Sequence, residues 1–274
     1  MDKTTSADGT AIAYDAWGSG PLVVIVGGAF NDRGAWAELA QALAAQGFRA
    51  VSYDRRGRGD SGDARPYAVE REIEDLMAVI DAARERAEDP VFLHGISSGA
   101  ALVLQALAAG VHVTAASGLE PPYRIEGAPP APPNYIGTLQ EMVDRDDREG
   151  LAAYFHTQVV GMPAETLEPV KQSPFWQAML AMAPTLVADG LALGGDDQSL
   201  PVDLLGRIEA PVLTVTSTGT LMPWLSQTAE RVAEALPNGR AVRLEGGFHE
   251  VPTATLAPAL ADFYRAAQTT VRTA

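Results

Sequence analysis

Two rhythms of apolar and polar positions run along the chain. Leu22–Val26 (L-V-V-I-V) is short, β-branched and uninterrupted, which predicts a strand buried on both faces. Ala11–Trp17 predicts an edge strand. Phe48–Tyr53, Val91–His94, Val111–Leu119, Val212–Thr216 and Ala241–Glu245 predict five more strands. Helical patterns lie between them: Ala35–Gln46, stopped by Gly47; Pro66–Ala87; Ser98–Ala109, stopped by Gly110; one near Pro223–Leu236; and Ala254–Ala267. Such alternation implies an α/β fold, a mostly parallel sheet with helices on both faces.

One stretch breaks the rhythm. No strand pattern occurs between Glu120 and Ala210. The stretch opens with P-P-Y-R-I-E-G-A-P-P-A-P-P, which is extended and turn-rich by composition. Helical patterns follow near Tyr135–Asp147, Leu151–Val159 and Pro174–Val187, and then a G-G-D-D-Q-S loop. These features predict a helical cap, residues 121–205, set into a core made of 1–120 and 206–274. The segment is small and both its ends enter one sheet, which favours a cap over an independent domain.

Composition narrows the partners. The 274 residues carry a formal net charge of −15, which repels nucleic-acid phosphates and anionic lipid. Neither nucleic acid nor membrane is therefore an expected partner; a small-molecule substrate is. No apolar run approaches the roughly 18 residues of a membrane span, and the first ten residues show no signal-peptide pattern. The chain has no cysteine, which removes disulfides, thiolate metal sites and a cysteine nucleophile, and suits a cytoplasmic location. Oligomeric state is left open.

Candidate chemistry centres on residues 93–101, L-H-G-I-S-S-G-A-A. The register of G-x-S-x-G places Ser97, not Ser98, at the centre. The pattern suits a sharp strand-to-helix turn, with small flanking residues admitting neighbouring backbone and the serine held strained at the head of a helix. It is a weak signal alone, but here it falls between a predicted strand and a predicted helix. Ser98 follows the nucleophile, so its N–H rather than its hydroxyl would face a developing oxyanion.

At this point the chain resembles the α/β-hydrolase superfamily, in its serine esterase and lactonase branch, over nearly its whole length. V-V-I-V-G-G-A-F is similar to that family's first buried strand and H-G-x-x oxyanion loop, with Gly27 in place of histidine. The resemblance assigns the second oxyanion N–H to Ala29. Tyr53–Gly62 (Y-D-R-R-G-R-G-D-S-G) is similar to the family's D-x-R-G-x-G-x-S signature and reads as a structural turn with internal salt bridges.

The resemblance also places the base after the last strand. There R-L-E-G-G-F-H-E-V offers His249. Of the other histidines, His94 lies inside a strand, His112 begins one and His156 lies in the cap. The family's usual acid follows the strand before last. That loop reads S-T-G-T-L-M-P-W, and no Asp or Glu occurs from Pro211 to Ala229. An Asp at Thr220 or Leu221 would restore the common arrangement. Glu120, at the end of the strand after the elbow, is the expected acid. Glu245 and Glu250 are rivals, and a Ser–His pair without an acid remains open.

The expected reaction is acyl transfer through an acyl-enzyme on Ser97, with no metal or organic cofactor called for. No H-E-x-x-H or G-x-x-x-x-G-K-[ST] spacing occurs. Phe30, Tyr123, Phe155, Trp176 and Trp224 are candidates to line an apolar pocket. A small or medium apolar ester, lactone or thioester fits, and a polymer or phosphate substrate fits less well. Triad-bearing cyclases, lyases and C–C hydrolases, and a non-catalytic ligand-binding member of the fold, are the alternatives.

Overall fold

The computed structural model describes residues 1–220 and 222–273, and side chains up to residue 269. Its strands are β1 (Asp2–Thr5), β2 (Ala11–Trp17), β3 (Leu22–Val26), β4 (Arg49–Tyr53), β5 (Val91–Ile96), β6 (Ala115–Leu119), β7 (Val212–Ser217) and β8 (Gly239–Leu244). They form one sheet in the order β1-β2-β4-β3-β5-β6-β7-β8. The pairs β1–β2 and β2–β4 are antiparallel and the rest are parallel.

Ala11–Trp17 is therefore not the edge. β1 covers it, although D-K-T-T is polar and mostly exposed. Such a strand is held by backbone pairing, which leaves no apolar alternation to read. β6 is also shorter than expected. Val111 N turns back to Ala106 O instead of entering the sheet.

β3 shows why a central strand has no polar position. Val24 belongs to the apolar cluster on one face, and Val23 and Ile25 belong to the cluster on the other. The first face is covered by the helices Val69–Ala83, Ser98–Ala108 and Pro223–Ala235, through Leu76, Val103 and Val232. The second is covered by Ala37–Ala45 and Thr253–Thr273, through Leu39, Leu43, Leu260 and Tyr264. Each fully buried Leu, Ile or Val contributes roughly 1.5–3 kcal/mol.

Between β6 and β7 the described elements are all helical. Helices Tyr135–Asp144, Arg148–Tyr154 and Leu186–Ala192 share a small core containing Tyr135, Leu139, Leu151 and Leu186. Ala29 and Phe30, from the loop after β3, pack against it, which seats the insertion on the sheet's C-terminal edge. The expected single helix Pro174–Val187 is two, Trp176–Met182 and Leu186–Ala192. Pro184 lies between them, where it can supply no N–H.

Candidate active site

Register brings the site together. Ile96 pairs with Leu119, and Leu119 with Val215. The next residues, Ser97, Glu120 and Thr216, therefore emerge side by side at the C-terminal edge, where parallel sheets build their sites. Ser97 N donates to Leu119 O at 2.9 Å and Glu120 N to Val215 O at 3.0 Å.

Ser97 has φ 55° and ψ −122°, the strained turn its motif calls for. Ile96 ends β5 and Ser98 begins a helix, so the serine sits at the reversal. Gly99 is required there, because a Cβ would collide with Val26 O. Gly28 is similarly close, since its Cβ would lie 2.8 Å from Ile96 O. The loop after β3 is thus pressed against the turn at Ser97. Gly28 N donates to Asn31 Oδ1 at 3.0 Å, and Trp36 Nε1 donates to the same oxygen at 3.0 Å. Among the described residues no acceptor engages the N–H of Ala29 or Ser98.

Glu120 is fully buried, and its Oε2 lies 2.7 Å from His249 Nδ1. Its Oε1 accepts from Thr216 Oγ1 at 2.9 Å, Ser217 N at 2.8 Å and Thr220 Oγ1 at 2.5 Å. Burial opposes its charge, but the hydrogen bonds from His249, Thr220 and Ser217 outweigh it and hold the carboxyl below its ordinary value. The S-T-G-T loop that lacks an acid is thus a cradle of donors for one supplied by the neighbouring strand. Ser217 Oγ also donates to Gly247 O at 2.5 Å, tying this cradle to the histidine loop. From the sequence, Thr220 is only a position for a missing Asp, and Thr216 and Ser217 have no role; that all three donate to Glu120 was not read there, where the density of hydroxyls was the available signal. Leu221 lies outside the described residues. Glu245 and Glu250 are exposed.

The remaining histidines are placed elsewhere. His94 is fully buried with Nδ1 2.8 Å from Ser117 Oγ, and burial pushes its pKa down to about 3. His156 directs Nδ1 to Ala152 O at 2.7 Å and stacks on Phe30. His112 is exposed.

The arginine–glycine turn reaches further than expected. The expected internal salt bridges are not there: among the described residues, every ion pair of the turn is made with a residue outside it, because its carboxylates face Arg33 and its arginines face carboxylates of other elements. Arg55 holds Glu72 through two 2.7 Å bonds and Asp189 through a third, and Arg58 holds Asp189 at 2.8 and 2.9 Å. Arg55 also donates to Gly27 O at 3.2 Å and Arg58 to Gly28 O at 2.5 Å, so both brace the loop after β3. Asp189 comes from the insertion, is buried, and accepts from Ser98 Oγ at 2.6 Å. Burial opposes its charge, but Arg58, Arg55 and the Ser98 hydroxyl prevail and keep the carboxyl below its usual range. No sequence pattern marked Asp189.

Ser97, His249, Ala29 and Ser98 all line one cavity of about 270 Å³. That is slightly below the roughly 300 Å³ at which typical ligand pockets begin. Phe155 and Trp224 line it as expected; Phe30, Tyr123 and Trp176 do not. Phe30 stands behind Phe155, ring centroids 5.4 Å apart. Tyr123 is fully buried in the core, and Trp176 packs on Ala152 and Leu167. Pro122, Arg124, Tyr135, Gln198 and Phe248 are further lining residues. Val160 N bonds back five residues to Phe155 O, a widened π-type turn that brings Phe155, Val159 and Val160 to the wall. Ser97, Glu120, Gln198 and His249 all have positive φ, so backbone strain gathers at this place.

Residues 23–262 match the model of the alpha/beta hydrolase family. A solved alpha/beta hydrolase from Sphaerobacter thermophilus DSM 20745 is 42% identical with a TM-score of 0.87, covering 96% of this chain and 100% of that one. The enol-lactonase from Burkholderia xenovorans LB400 shares the fold, with a TM-score of 0.69 at 20% identity over 98% of this chain and 100% of its own. The putative non-heme bromoperoxidase BpoC of Mycobacterium tuberculosis is 26% identical over 258 residues, covering 89% of this chain and 94% of the relative.

Proposed function

The chain belongs to the alpha/beta hydrolase family, and from that premise we propose that it is a serine hydrolase acting on a small ester, lactone or thioester with an apolar body. The observation that carries this reading is the strained Ser97 sharing one small cavity with His249, whose Nδ1 meets the buried Glu120 carboxylate at 2.7 Å. In this reading Glu120 keeps the His249 proton on Nδ1, leaving Nε2 to accept from Ser97 Oγ. Ser97 attacks the carbonyl carbon, and the N–H groups of Ala29 and Ser98 stabilise the tetrahedral oxyanion. His249 then delivers the proton to the leaving alcohol. Water, deprotonated by the same nitrogen, releases the acid and restores Ser97. The helical insertion acts as a cap, with Phe155, Val159 and Val160 bounding the substrate's apolar part.

Exposure to a fluorophosphonate probe followed by mass spectrometry tests the nucleophile without knowledge of the substrate. The adduct is expected on Ser97 and is lost in Ser97→Ala. An adduct on Ser98, or none on the parent protein, refutes the reading.

A further inference from the structure

Arg55, Arg56 and Arg58 are all buried and all matched to carboxylates: Glu72 and Asp189, Asp75, and Asp189. Arg124 differs. It is half-buried in the cavity wall and forms no ion pair among the described residues. The chain has 35 Asp and Glu against 20 Lys and Arg, so a counter-ion was not scarce.

Arg124 is nevertheless held in place. Its backbone N donates to Gln198 O at 2.7 Å, and its O accepts from Leu200 N at 3.3 Å. Nε donates to Gln198 Oε1 at 3.4 Å, one terminal nitrogen donates to Pro129 O, and the guanidinium lies 5.8 Å from the Trp224 ring centroid. Burial draws its pKa below the ordinary arginine value, partly offset by Tyr135, so the charge lacks the stabilisation an anion would give.

Gln198 supplies an independent sign. It is 2% exposed, and its Nε2 has no hydrogen-bond partner among the described residues. The bond from Arg124 fixes which end of the amide is oxygen, so Nε2 is the donor left over. A buried donor without an acceptor is costly, and in a binding cavity it points to an absent partner.

Both residues line the cavity that Ser97 and His249 line. We infer that the substrate is a small ester or lactone carrying a carboxylate, whose oxygens accept from the Arg124 guanidinium and Gln198 Nε2 while its ester carbonyl lies at Ser97. The ester half of this inference rests on the serine hydrolase reading; the anion subsite does not. A guanidinium and one amide match the two oxygens of a monoanion. A phosphate dianion would bring a second charge into a chain of net charge −15 with no second unpaired cation among the described residues of the wall. Pro122, Met222 and Leu225 also line the cavity, so the body joining the two ends is apolar.

The test compares monomethyl glutarate with methyl pentanoate, which differ by a carboxylate in place of a methyl group. The parent protein is expected to favour the glutarate ester in kcat/KM by about 10- to 100-fold. Arg124→Gln brings that ratio close to one, chiefly by raising KM for the glutarate ester. Arg124→Lys keeps part of it, since lysine retains the charge but not the fork. Gln198→Met lowers the ratio by a smaller factor and serves as a second probe should Arg124→Gln fold poorly. A parent with no preference, or an Arg124→Gln loss equal on both esters, overturns the inference. Fluorophosphonate labelling of Ser97 on the same preparation reports the hydrolase reading separately. Without labelling or turnover that reading falls, and monomethyl glutarate as a plain ligand decides the subsite. A rise in parent Tm that is absent in Arg124→Gln supports it; no rise overturns it.

Discussion

Beneath the cavity, behind His249, a floor is built around Glu120, which receives four hydrogen bonds, from Thr216, Ser217, Thr220 and His249. On the cavity's roof, Phe155, Val159 and Val160 present hydrocarbon. The floor is specified by direction, because each bond has an angle and a length to keep. The roof is specified by volume, because apolar contact is non-directional. The two therefore differ in what a substitution disturbs: proton positions below, and the size of the space above. Asp189 crosses the divide. It belongs to the roof by chain position and to the floor by its bonds to Arg55, Arg58 and Ser98.

The largest expected effect breaks the floor. In Glu120→Gln the amide oxygen can still accept from Thr216, Ser217 and Thr220, which turns the NH₂ toward His249 Nδ1. That nitrogen must then accept rather than donate, so the proton moves to Nε2 and the base is lost. Turnover should fall about 10⁴-fold, as for loss of the acid in such triads. Probe labelling of Ser97 should slow as well, with an unchanged circular dichroism spectrum. Glu245→Gln and Glu250→Gln should stay within about twofold, since both side chains are exposed. Near-parent turnover in Glu120→Gln would show that the floor does not depend on its acid.

The same contrast explains what could be read in the sequence. The elbow is legible because its geometry admits few residue types: glycine where Val26 O presses in, serine at the reversal, and a strand and helix on either side. Glu120 was reachable because the usual position is empty and parallel strand ends converge. The roof is not legible in this way. Phe155 and Trp176 are both large aromatic residues in predicted helical patterns, yet one lines the cavity and the other is buried away from it. Which side a helix presents depends on what packs against it, and periodicity does not carry that. Asp189 and Arg58 lie 131 positions apart, so no local pattern joins them. β1 was missed for the converse reason, since backbone pairing alone leaves no side-chain signature.

The next effect tests the crossing point. Asp189→Asn removes the charge that faces Arg55 and Arg58 in a buried site, which costs about 3–5 kcal/mol when one partner of such a pair is lost. Urea unfolding should show it as a lower midpoint with an unchanged slope. The pH dependence carries a definite sign. The Asp189 carboxyl lies below its unfolded value in the folded protein. Its contribution is complete above the ordinary carboxylate pKa of about 4 and is lost as pH falls through the lower folded value. The gap in stability between parent and Asp189→Asn should therefore narrow on acidification below about pH 4. A gap that stays constant would mean that the aspartate acts through shape rather than charge.

The smallest effect separates two aromatic residues that the sequence left equivalent. Phe155 lines the cavity, and shortening it to alanine adds space without touching a hydrogen bond of the floor. One methylene in an apolar pocket is worth about 1–3 kcal/mol of discrimination. Phe155→Ala should therefore raise the kcat/KM ratio of hexanoate to acetate esters by about tenfold, with labelling of Ser97 by a small probe near the parent rate. Trp176 packs on Ala152 and Leu167 and is absent from the wall. Trp176→Phe should leave the same ratio within about twofold and lower the unfolding midpoint instead, because a partly emptied ring site loses packing. Equal shifts in selectivity from both variants would mean that the roof moves as one body, and that its volume is set by the whole helical layer rather than by the residues that face the substrate.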